Sequence, residues 1–160
     1  MSDAGPLIAL AKLDLLKLLP QLFAVVHVPQ TVFKEATRQN DRVDARRISD
    51  FVPRELHLLD VIDNKLSRSL SLQLDEGEVQ AIAHARELKC GVLMDEKRGR
   101  MAASHNDIPT IGVVGVLLQA KQRGLIPNVT EPLQALQIAE YRISEALYRE
   151  ALRLSGELSE

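Results

Sequence analysis

Apolar positions along this chain recur with two different spacings, and the change from one to the other marks out its elements. Val79, Ile82, Ala83, Ala85 and Leu88 return every three or four residues, which predicts a helix with one face turned to a core. That helix opens at Asp75, three residues before Glu78, which is the capping-box spacing. Cys90 and Gly91 close it, and Val92-Leu93-Met94 follows as a short buried strand with Asp95 at its end. The next helix, running to about His105, begins with Lys97, Arg98 and Arg100. Cations there face the positive end of a helix dipole, where they cost stability. A local rule broken beside a strand-end carboxylate is a place to look for function.

The same reading orders the rest of the chain. Gly5 and Pro6 start an apolar helix from Leu7 through Leu13, proline being suited to a first helical position. A second helical turn, Leu15 to Leu19, ends at Pro20. Ala24 to Val28 is a β-branched run ended by Pro29, and Pro29 to Thr37 a helix carrying Glu35 about one turn in. Arg42 to Phe51 reads as a polar helix, Leu56 to Leu59 as a strand, and Asp60 to Ser71 as a loop with one helical turn. Pro109 to Gly112 is a strand, and Val113 to Arg123 a helix ended by Gly124. Helices from Glu131 to Ala139 and from Glu145 to Leu154 complete the chain, the last capped by Ser144 and ended by Gly156. Strands alternating with helices predict an α/β fold, a parallel sheet with helices on both faces.

Composition narrows the function classes. A chain of 160 residues, 46% hydrophobic and 26% charged, fits one globular domain, with the helices of about 131–154 as an appended pair. The net charge of −2 gives no global basic field, so any nucleic-acid contact must come from local patches. The apolar stretch Pro6 to Phe23 is broken by Lys12, Asp14 and Lys17, which excludes a membrane span there. No signal-peptide pattern opens the chain, and its single cysteine fits a reducing, cytoplasmic setting. The four histidines are scattered without metal-ligand spacing, and neither a GxxxxGK[ST] nor a GxSxG motif occurs.

What remains is acidic. Asp3 precedes the first helix, Glu35 and Glu78 lie in early helical turns, and Asp95 ends a strand. In an open α/β sheet these addresses share the carboxyl-end side, where ligands bind. Asp75 and Glu96 stand close by. Carboxylates gathered without a counter-charge repel one another. A hard cation such as Mg²⁺ or Mn²⁺ would use them as oxygen ligands, keep several waters and clamp a phosphodiester displacement. Each acid also has a plainer reading: Asp3 and Asp75 as helix caps, Glu78 as the reciprocal half of Asp75's capping box, Glu35 as a solvated helix residue. Lys97, Arg98 and Arg100 suit a phosphate backbone, or equally a solvated face pairing Glu96 with Arg100.

At SDAGPLIALAKL (Ser2 to Leu13), VPQTVFKEA (Val28 to Ala36), LDEGEVQAIAHA (Leu74 to Ala85), LMDEKRGR (Leu93 to Arg100) and IPTIGVVGVLLQAKQRGLI (Ile108 to Ile126) the sequence resembles the PIN-domain family. These are VapC-like metal-dependent ribonucleases, often the toxins of bacterial toxin–antitoxin pairs, and the chain looks closest to an uncharacterised prokaryotic branch. The similarity extends to RISEALYREAL (Arg142 to Leu152). The resemblance implies a three-layer α/β/α fold with a five-stranded, mostly parallel sheet. It also implies Mg²⁺ or Mn²⁺ held mainly by Asp3, Glu78 and Asp95, with Glu35 orienting water or touching a second metal. An RNA substrate, an antitoxin partner that occludes Glu35, Asp95 or Arg98, and a homodimer are further implications.

Two departures stand out. Only Met1 and Ser2 precede the first acid, so the central first strand is expected to be cut short, by a truncated or late-assigned start. Ala4 and Gly5 also replace the Ser or Thr that often follows that acid. Two other readings compete with the nuclease. One is a catalytically degenerate PIN fold kept as a protein-interaction module. The other is a phosphatase-like hydrolase with Asp3 as nucleophile, which lacks the second Asp two residues on because Gly5 stands there.

Overall fold

The computed structural model describes residues 1–159. Ten helices and four short strands are found among them: α1 (Ala4–Lys12), α2 (Leu18–Leu22), β1 (His27–Pro29), α3 (Gln30–Ala36), α4 (Val43–Glu55), β2 (His57–Leu59), α5 (Lys65–Leu70), α6 (Glu76–Leu88), β3 (Val92–Leu93), α7 (Lys97–His105), β4 (Thr110–Ile111), α8 (Val113–Gln122), α9 (Thr130–Ile138) and α10 (Glu145–Ser155).

The expected α/β fold is present, but the continuous five-stranded sheet is not. Two parallel pairs form instead, β1 with β2 and β3 with β4. The chain start lies between them. Ser2 N–H donates to His27 O on one side, while Leu93 N–H donates to Met1 O and Asp3 N–H to Leu93 O on the other. That segment makes one isolated parallel bridge, Ser2 to Leu93. With strands of two or three residues there is room for only a few ladder bonds each, and the two pairs are joined only through the Met1–Asp3 segment.

Side chains along a strand alternate between faces, and here they feed two cores. Leu93 joins the larger one, built on Leu7, Leu10, Leu18, Leu19, Val28, Ile48 and Leu117. Its neighbours Val92 and Met94 join the smaller one with Val79, Ile82, Ala103 and Ile108. Helices therefore cover both faces. Leu133, Leu136 and Ala151 of the last two helices are also buried in the larger core.

Several element ends moved for local reasons. Pro20 lies inside α2 rather than ending a helix, because it falls in the first turn, where its missing N–H has no partner to lose. Helix α4 continues past Phe51 to Glu55 through Pro53; Pro53 and Ser49 are both exposed, so water reaches the carbonyl the proline leaves free. The segment read as a loop with one turn contains α5, started by a capping box in which Ser67 N–H donates to Asn64 Oδ1 and Asn64 N–H to Ser67 Oγ. Lys89, in the left-handed region at φ 51°, ends α6 one residue before Cys90. No helix among the described residues is long and apolar enough to cross a membrane.

Candidate metal centre

Four elements deliver the acids to one cleft at the carboxyl ends of the strands. Asp3 occupies the N-cap position of α1, yet its side chain makes no capping hydrogen bond. The cap reading fails there, and the carboxylate, 5% exposed, faces the cleft. Asp95 follows β3, Glu78 lies in the first turn of α6 and Glu35 near the end of α3. All four line the same cavity of about 350 Å³, together with Asp75, Glu96, Gln73 and Arg98.

Glu78 combines two jobs. Its Oε2 accepts from Asp75 N–H at 3.2 Å, the capping half of its reading, and the side chain still borders the cleft. Asp95 is held from two sides: Oδ1 accepts from Val113 N–H at 3.0 Å, at the start of α8, and Oδ2 accepts from the Tyr141 hydroxyl. Of the three cations, Arg98 lines the cleft and its Nη2 donates to Gln73 O at 2.6 Å. Lys97 is exposed on the same helix. Arg100 turns inward instead, donating from Nη1 to Met94 O at 3.1 Å, and no Glu96–Arg100 ion pair forms among the described residues.

Three glycines make room for the carboxylates. A methyl group on Gly77 would lie 2.6 Å from Glu35 Oε2 and 3.7 Å from Asp3 Oδ1, so two acids from different elements border one small space. A methyl on Gly99 would meet Glu78 Oε1 at 2.9 Å, and one on Gly112 would collide with Asp95 Oδ1. Glycine is the residue that permits such close approach.

The electrostatics follow. Burial pushes the Asp3 carboxyl up from 3.8 to about 7; the Ala4 N–H opposes this, and the charges of Glu78, Glu35 and Asp95 add to it. Glu78 is raised by burial and by Asp75, Glu96 and Glu35, against the Asp75 N–H. Glu35 is raised by partial burial and by Asp75, with Arg38 opposing. Asp95 is also raised by burial, although the Tyr141 hydroxyl, the Val113 N–H and Arg100 pull the other way. Tyr141 itself is pushed up by burial and by Asp95, so its hydroxyl keeps its proton and donates.

The donor set suits a hard divalent cation: carboxylate oxygens only, short of positive partners. Among the described residues no three His, Cys, Asp or Glu side chains stand as a ready-made ligand cluster. The acids face one cleft rather than one point, an arrangement compatible with Mg²⁺ or Mn²⁺, which retain waters instead of requiring an all-protein cage.

Sequence reading did not find Tyr141 or the three glycines. Tyr141 stands outside any periodic stretch, between α9 and α10, so nothing in its spacing pointed to Asp95, 46 residues away. The fold is of a nuclease type. The chain belongs to the PIN-domain family: the family model described as PIN domain matches residues 1–157. No curated protein and no solved structure matches it.

Proposed function

We propose that this chain is a Mg²⁺- or Mn²⁺-dependent endoribonuclease, the VapC-like toxin of a type II toxin–antitoxin pair. The observation that carries the reading is the convergence of Asp3, Glu35, Glu78 and Asp95 on one cleft, where each carboxyl is raised and glycines clear the space between them. In this reading Asp3, Glu78 and Asp95 hold the ion. When bound, it supplies Lewis acidity and neutralises charge building on a phosphodiester. Glu35, exposed at the cleft edge, orients the attacking water.

Arg98 and Lys97 position the RNA backbone at the rim, and Arg100 supports them from within while offsetting the charge of Asp95. The Met1–Asp3 segment, bonded to His27 and Leu93, serves as the short central strand of a five-stranded parallel sheet. A protein antitoxin silences the enzyme by covering Glu35, Asp95 or Arg98, and the active form is a homodimer.

A second reading, a degenerate PIN fold kept as an interaction module, draws on the lack of a ready-made three-ligand cluster among the described residues. Mn²⁺-dependent cleavage of a mixed RNA pool separates the two. The nuclease reading predicts cleavage by the parent chain and at least a ~100-fold loss in Asp95→Asn, more than outer-shell substitutions at metal sites usually cost. Equal cleavage by both would indicate a contaminant. Absence of cleavage by either would leave the interaction module.

A further inference from the structure

Asp95 is the one cleft carboxylate gripped by two donors from two elements, and one of them comes from far along the chain. The link between α9 and α10 bends at Glu140, which sits in the left-handed region at φ 61°. Tyr141 N–H donates to Leu136 O at 2.9 Å, and Lys12 Nζ donates to Ala139 O at 3.4 Å, tying the link to its own helix and to α1. The Tyr141 ring packs against the larger core while its hydroxyl reaches Asp95 Oδ2. That hydroxyl also lies over the start of α1: a methyl on Gly5 would be 3.8 Å from it.

A carboxylate oxygen has two acceptor sites. With Val113 N–H on Oδ1 and Tyr141 Oη–H on Oδ2, one site on each oxygen is used and the carboxylate plane is fixed. Asp95 lines the cleft together with Asp3 and Glu78.

Resting on the metal-site reading above, we infer that Tyr141 is a positioning residue, and that the α9–α10 link completes the metal centre by holding Asp95 in ligating orientation. Outer-shell partners of metal ligands typically change metal affinity by ~10- to 100-fold when removed. Tyr141→Phe deletes only the hydroxyl. Tyr148, half-buried against the same core from α10, provides the matched control.

The experiment is Mn²⁺ binding to the full chain, followed by electron paramagnetic resonance of the free ion. The expected result is at least a ~10-fold rise in Kd for Tyr141→Phe, with Tyr148→Phe equal to the parent. An unchanged Kd in Tyr141→Phe overturns the role of Tyr141 and leaves the metal site standing. An equal rise in both variants makes the effect one of packing and also overturns it. A parent chain that binds no Mn²⁺ overturns the metal site and the role of Tyr141 together.

Discussion

Asp3 and Glu157 are both carboxylates taken largely out of water, and their surroundings differ in one respect. Glu157, with its side chain 14% exposed, accepts from Lys121 Nζ at 2.6 Å, from the backbone N–H groups of Val129 and Thr130, and from the Thr130 hydroxyl. Burial alone would raise its pKa, but Lys121, Thr130 and the two N–H groups outweigh that and hold it at about 2. Asp3, more deeply buried, has the Ala4 N–H and three negative neighbours, and sits at about 7. Where a carboxylate serves the fold, every lone pair is matched. In the cleft the matching is partial, with two donors on Asp95 and one on Glu78, an arrangement that costs stability until a cation or another positive group enters.

The largest effect is expected at Glu157. Glu157→Gln leaves Lys121 and the first N–H groups of α9 short of a charged acceptor. Removing one partner of a buried pair costs ~3–5 kcal/mol, and the partial exposure of Lys121, at 26%, places this pair at the low end, about 3 kcal/mol. Urea unfolding should register that loss, with Mn²⁺ affinity unchanged. A similar loss of Mn²⁺ affinity would show that the two regions are not independent.

Acidity should then move the two regions in opposite directions. The folded pKa of Asp3 lies above its ordinary 3.8, so the folded state keeps a proton that the unfolded chain has released. Stability of the metal-free chain therefore falls as pH rises from about 4 through about 7. Glu157 is depressed below its ordinary 4.5, so its contribution is complete above that value and disappears as pH falls toward 2. Metal-free stability should peak near pH 4 and be lower at pH 8 than at pH 5 by about 3 kcal/mol, measured by denaturant midpoints. A flat profile between pH 5 and 8 would mean that the cleft charges are already compensated.

Much of the cleft was legible in the sequence because its acids sit where patterned elements begin or end. Asp95 follows a three-residue apolar run, and Glu78 stands one capping-box spacing into a clearly periodic helix. The groups that complete the site have no such signature. Tyr141 reaches Asp95 from an unpatterned link, and Lys121 meets Glu157 across 36 residues, so neither pairing leaves a local trace. The sheet was only partly legible, for a different reason. Apolar runs locate strands, but whether two- and three-residue strands join into one ladder depends on how many hydrogen bonds the Met1–Asp3 segment makes, and that is settled in three dimensions. Helix α5 was read only as one turn within a loop because its start rests on an Asn64–Ser67 box inside a polar stretch.

The most direct test of the partly matched cleft is thermal melting at pH 8, with and without Mn²⁺, for the parent and for Asp3→Asn. A 160-residue domain gains roughly 2–4 °C per kcal/mol, and a ligand at 100 times its Kd contributes about 2.7 kcal/mol. The parent should rise by about 5–10 °C with Mn²⁺. Asp3→Asn should melt higher than the parent without metal and respond little when metal is added. A metal-free Asp3→Asn that melts below the parent, with the Mn²⁺ response intact, would contradict the cleft's cost to stability.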